Sequence, residues 1–243
     1  MSENVRTEHQ TQYVDYNFGF YQDPRYLSHN LRTAIGILAG PSNTIPYVED
    51  ARKNLNIRHI QHSIQVVRRI PQPNEMWRIH SETGTASRSM GVDKIELFFD
   101  PCNPHMLERL SSWNDREIQH EMNHIARTAR YPLHKTLIDG LVSEGLAIYD
   151  EENLNSVYAN SHWGNVLGKG ELDTELALAK YELQSEQYNF ADWFYGKDGN
   201  HKRFAGYSLG NHLIRAFYKN NPGIRMSEAV LLPSLTILNH SGL

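Results

Sequence analysis

Three side chains in the middle of the sequence have the types and the spacing to hold a metal ion. Gln119-His120-Glu121-Met122-Asn123-His124 carries two histidines four positions apart, with a glutamate beside the first. A helix advances about 100° per residue, so positions four apart project within about 40° of each other, one turn apart in height. Both imidazoles then point to one side of one helix and can share an ion. Glu121 sits next to that face, near the metal without being forced to ligate it, which suits a base acting on water. Glu144 follows 20 residues after His124, on what reads as the next helix. Two histidines and one carboxylate leave a fourth tetrahedral position open, the arrangement of catalytic zinc rather than structural zinc. The expected ligands of one Zn2+ are therefore His120, His124 and Glu144, and the expected general base is Glu121.

The elements that must position these residues are legible around them. A helix is expected from near Asn114, where Asn114 and Glu117 have capping-box spacing and Asp115 adds negative charge at the positive end of the dipole. Ile118, Met122, Ile125 and Ala129 form its apolar stripe, Arg127 and Arg130 suit its C-terminal end, and Pro132 stops it. The next helix is expected from Thr136, with Asp139 three residues on, to about Tyr149, long enough to turn back and present Glu144. Gly145 inside it costs helix stability, and close approach of the two zinc-bearing helices is a sufficient reason to keep it. Further helices are expected over Pro24–Leu38, Tyr47–Leu55, Leu172–Gln184 and Ala205–Lys219. Ser63–Ile70 and Met76–His80 are β-like, and Val92–Phe99 is the best strand, closed by Asp100-Pro101. The fold class is α+β, with a small N-terminal mixed sheet and a mainly helical C-terminal half. Residues 1–22 read as a loosely held arm.

His120-Glu-Met-Asn-His124 followed by Leu137-Ile-Asp-Gly-Leu-Val-Ser-Glu-Gly-Leu-Ala147 resembles an uncharacterised family of predicted zinc-dependent proteases of the gluzincin type, distantly similar to thermolysin. The strand ending Asp100-Pro-Cys-Asn-Pro104, Trp193-Phe-Tyr-Gly196 and Ala205-Gly-Tyr-Ser-Leu-Gly210 carry the likeness further, so that it spans residue 84 to the end. The resemblance implies a zincin-like domain over 23–243, in two lobes (23–131 and 132–243) around one cleft, with an edge strand before the zinc helix. It implies His120, His124 and Glu144 as ligands and Glu121 as base. It also implies a tyrosine or histidine from a later helix donating to the oxyanion, with Tyr207 the first candidate and His201 the second. Val92–Phe99 would then be a sheet edge that pairs with an extended peptide.

Composition narrows the partners. The net charge of -4 and pI near 6.3 imply no basic face, so nucleic acid is not an expected partner. The longest apolar run, Ala34 to Ala39, is too short to span a bilayer, and the first 20 residues have no apolar stretch of signal-peptide length. Cys102 is the single cysteine, which excludes an internal disulfide and a cysteine-based zinc ribbon. A cytoplasmic, non-membrane protein is expected. The leading expectation is a zinc-dependent hydrolase, a metallopeptidase acting on peptides or unfolded segments through a metal-activated water. The alternative is the same site acting on a small molecule. A third reading, a zinc-stabilised binding or chaperone-like protein, has no need for a base beside an open metal position. His59 and His62, and Gly206 with Gly210, read as a surface pair and a close-packing pair.

Overall fold

The computed structural model describes residues 6–9, 12–17, 55, 61–66, 85–91, 94–99, 117, 119–154 and 163–243. The helix expected over Pro24–Leu38, most of Tyr47–Leu55, the β-like stretch Met76–His80, the helix start at Asn114 and Cys102 lie outside these residues. The chain divides into two units, residues 1–125 and 126–243.

The first unit holds a five-stranded sheet. Its strands are β1 (Arg6–His9), β2 (Gln12–Asn17), β3 (Gln61–Val66), β4 (Thr85–Met90) and β5 (Lys94–Phe99), in the order β1-β2-β3-β5-β4. β2, β3 and β5 run parallel, and β1 and β4 are antiparallel to their neighbours, so the sheet is mixed. The segment expected as an N-terminal arm thus contains β1 and β2. β5 coincides with the strand expected at Val92–Phe99, but it is not an edge. It lies between β3 and β4, with Ile95 fully buried. The apolar run Ile95, Leu97, Phe98, Phe99 in the sequence is of the kind inner strands carry. Among the described strands the edges are β1 and β4, and next to β5 the edge is β4, whose Thr-Ala-Ser-Arg-Ser-Met sequence is polar and leaves Arg88 and Met90 exposed. Met90 pairs with Lys94, and Gly91 at φ 67 supplies the left-handed residue that this tight hairpin requires.

Residues 119–128 form helix α1, with Glu117 helical as well, and the boundary between the units falls inside it. Met122, Ile125 and Ala126 are its buried apolar positions.

The second unit is helical. It contains α2 (Leu137–Leu154), α3 (Lys169–Glu182), α4 (Phe190–Tyr195), α5 (Ala205–Asn220), α6 (Met226–Ala229) and α7 (Ser234–Ser241). The protein is α+β, with the sheet in the N-terminal part and helices through the C-terminal half. α2 begins where expected: Asp139 N–H donates to Thr136 Oγ1 (3.3 Å), and Thr136 N–H and Oγ1–H donate back to Asp139 Oδ2 (3.2 and 2.7 Å). Residues 137–148 of α2 are buried except Asp139, so the helix is covered almost all round. Leu137, Leu141, Ala179, Trp193, Phe194 and Leu209 form one packed cluster around its first half.

α2 and α5 touch backbone to backbone. A Cβ on Gly145 would lie 2.3 Å from the Gly210 carbonyl oxygen, and one on Gly210 would lie 2.3 Å from that of Leu141. Gly145 is therefore explained by close approach of α5, and not by approach of the two helices that carry the expected zinc ligands. The expected packing role of Gly206 and Gly210 holds: a Cβ on Gly206 would meet the Phe194 ring at 2.9 Å. α5 starts from Phe204 at φ 67, the one non-glycine residue among those described with a left-handed backbone. Among the described residues, no helix is long and apolar enough to cross a membrane.

Candidate metal centre

α1 places a stripe of four polar residues at helical spacing: Glu117, His120, Glu121 and His124, all buried. The two histidine rings meet edge to face at 4.7 Å between centroids, with the Nε2 atoms 3.1 Å apart. Two nitrogens bound to one tetrahedral zinc at about 2.0–2.1 Å would sit about 3.3 Å apart, so the pair already has the spacing of two ligands on one ion. Beside them on the stripe, Glu121 Oε1 accepts a hydrogen bond from the Ser87 hydroxyl of β4 at 2.8 Å. The same hydroxyl lies 2.5 Å from Glu117 Oε2.

Glu144 sits in the middle of α2 with 4% of its surface exposed. A carboxylate that deep in an apolar helix needs charge compensation. His120, His124 and Glu144 each offer one ligand atom, and those atoms lie within 4.8 Å of one another. Two imidazole nitrogens and a carboxylate oxygen are the donor types zinc takes, and this group could hold a metal ion.

Two residues near Glu144 were not singled out for it in the sequence. His134 Nε2 lies 3.5 Å from Glu144 Oε1. The Tyr188 hydroxyl lies over Gly140, where a Cβ would meet it at 3.0 Å, one helical turn before Glu144 on the same face of α2. It reaches the His134 carbonyl at 3.4 Å. Burial, and then the negative charges of Glu144 and Asp139, push the Tyr188 phenol well above its ordinary range, so it stays a hydrogen-bond donor. The only signal in the sequence was the residue type, because 44 positions separate Tyr188 from Glu144.

The two expected oxyanion donors both belong to the helical unit. Tyr207 is half-buried on α5, with its hydroxyl 3.3 Å from that of Tyr195 and its ring edge-on to Phe194. His201 is clamped in the α3–α4–α5 packing. Its Nδ1 is 2.8 Å from Glu175 Oε2, and its ring stacks on Trp193 at 3.6 Å. Arg127, expected to suit the C-terminal end of this helix, is fully buried there. It donates to the carbonyls of Val230 (3.3 Å) and Leu232 (3.2 Å) and to Ser234 Oγ (2.7 Å), and burial lowers its pKa to about 10. Ser234 in turn donates to Asp139 at 2.5 Å, which ties the cap of α2 into the same network.

A family model described as a predicted Zn-dependent protease matches residues 16–239. No curated protein and no solved structure matches the chain.

Proposed function

The chain belongs to this family of predicted Zn-dependent proteases, and from that premise we propose that it is a zinc metallopeptidase, with His120, His124 and Glu144 as ligands and Glu121 as general base. The observation that carries the reading is the buried group of two histidines and one glutamate with ligand atoms within 4.8 Å of one another. It supplies three protein donors, which suits a zinc with an open fourth position. When bound, zinc supplies Lewis acidity: it polarises the substrate carbonyl and lowers the pKa of the water it holds toward ~7. Glu121 takes a proton from the attacking water and later delivers it to the leaving amine. Its neighbours on α1 hold it beside the histidine pair without making it a ligand.

Substrate binding along a strand moves from β5 to β4. β4 is the outermost described strand on its side of the sheet, and Ser87 ties it to the base. A peptide laid along β4 would add a strand through main-chain hydrogen bonds, which gives sequence-tolerant binding. For the donor to the oxyanion there are now three candidates. Tyr207 and His201 come from the family likeness, and Tyr188 comes from its place over the face that carries Glu144.

The test is cleavage profiling of a diverse peptide mixture by zinc-loaded protein, with chelator and with His120→Ala, His124→Ala and Glu144→Ala alongside. Wild type should bind about one equivalent of zinc and cut peptides, chelator should stop it, and each ligand variant should lose most of the metal. Full zinc retention in all three variants would sink the ligand set. Zinc binding without peptide cleavage would sink the peptidase reading.

A further inference from the structure

The Ser87 hydroxyl sits between two buried carboxylates of α1, 2.8 Å from Glu121 Oε1 and 2.5 Å from Glu117 Oε2. Glu117 is 8% exposed and Glu121 5%. They are four positions apart, so both project from one face of the helix toward the strand. On β4, Ser87 and Ser89 are half-buried while Arg88 and Met90 are exposed, so the serine face is the covered one. Ser87 pairs with Leu97 of the inner strand β5, which fixes its height along the sheet.

A serine hydroxyl carries one hydrogen and two lone pairs. That hydrogen has two acceptors within reach, Glu121 Oε1 and Glu117 Oε2. Donated to Glu121, it holds Oε1 and leaves the other carboxylate oxygen for water.

We propose that Ser87 is a positioning residue: it fixes the orientation of the Glu121 carboxylate from an edge strand of the sheet. This rests on the reading of Glu121 as general base. It adds a consequence that reading lacks, because the strand available to a peptide and the base are joined by one hydrogen bond. A peptide that paired along β4 would register directly against the group that moves the proton.

The experiment uses full-length, zinc-loaded wild type, Ser87→Ala and Ser87→Thr, with crystal structures and steady-state kinetics on a peptide that the wild type cuts. In the wild type Glu121 should take one orientation on Ser87. In Ser87→Ala it should be displaced or split between rotamers, with the zinc content unchanged. Loss of a group that orients a reacting side chain typically costs about 10–100-fold, and here the loss should fall on kcat with KM little changed. Ser87→Thr keeps the hydroxyl and should restore both the orientation and most of the rate. A Ser87→Ala protein with wild-type kcat and an unmoved Glu121 would overturn the proposal, as would a threonine variant no better than alanine. If no peptide is cut by any form, the structures still decide: a Glu121 that Ser87 orients and Ser87→Ala releases upholds the positioning role while the peptidase reading falls.

Discussion

The base can be tested apart from the metal. Glu121→Gln keeps the size of the side chain, can still accept from Ser87 through its amide oxygen, and loses only its basicity. Zinc should stay bound and the fold unchanged, while kcat falls by at least the 10²–10⁴ typical of general acid–base catalysis. Zinc analysis and steady-state kinetics on one preparation check both halves, and full activity in a zinc-loaded variant would remove Glu121 from the mechanism. The oxyanion donor is decided by comparing tyrosines. Tyr188→Phe should lower kcat by about 10²–10³ with zinc retained. If Tyr188 is that donor, Tyr207→Phe, which removes a hydroxyl 3.3 Å from Tyr195, and His201→Ala, which removes a ring nitrogen 2.8 Å from Glu175, should leave kcat much less changed. A large loss of kcat confined to Tyr207→Phe would return the role to that residue.

At the scale of elements, the contact between α2 and α5 sets what the helical unit tolerates. Gly210→Ala would force a methyl to within 2.3 Å of the Leu141 carbonyl oxygen, where neither backbone can yield cheaply. It should destabilise by about 3 kcal/mol, at the upper end of overpacking costs. Gly170 is a fair control. It lies in α3 with nothing within 4 Å of its would-be Cβ, and Gly170→Ala should be neutral or stabilise by up to about 1 kcal/mol. Urea unfolding of both variants reads the difference directly, and equal midpoints would refute the packing argument. The same contact shows what the sequence could and could not reveal. The histidine pair, Glu144 and the Thr136–Asp139 cap were readable because each depends on spacing within one or two helices. β5 was readable as a strand but not as an inner one, since apolar density says that a segment is covered and not by what. β4 escaped notice because its polar alternation resembles a loop. Ser87 and Tyr188 were invisible because only the fold brings them to Glu121 and toward Glu144, from 34 and 44 residues away.

Across the whole molecule, Arg127 joins segments more than 100 residues apart. Its guanidinium serves the carbonyls of Val230 and Leu232 and the Ser234 hydroxyl, all from full burial. Arg127→Ala would leave those acceptors without their donor, and removing one partner from a buried charged network costs about 3–5 kcal/mol. Limited proteolysis should then cut between residues 225 and 243 sooner than in the wild type, and an unchanged digestion pattern would show that α7 is held by its packing alone. The near-complete burial of α2 has a different kind of consequence. In small domains that fold only on their metal, ordering of the chain and capture of the ion are one event, with a large calorimetric signature. Here Glu144 is carried on a helix enclosed by apolar packing and seated against the backbone of α5. Zinc titrated into stripped protein should therefore bind with little change in heat capacity and no gain in helical circular dichroism. Repeated stripping and reloading should return the same protein each time, since the helix that carries this carboxylate is held by packing of apolar side chains and backbone.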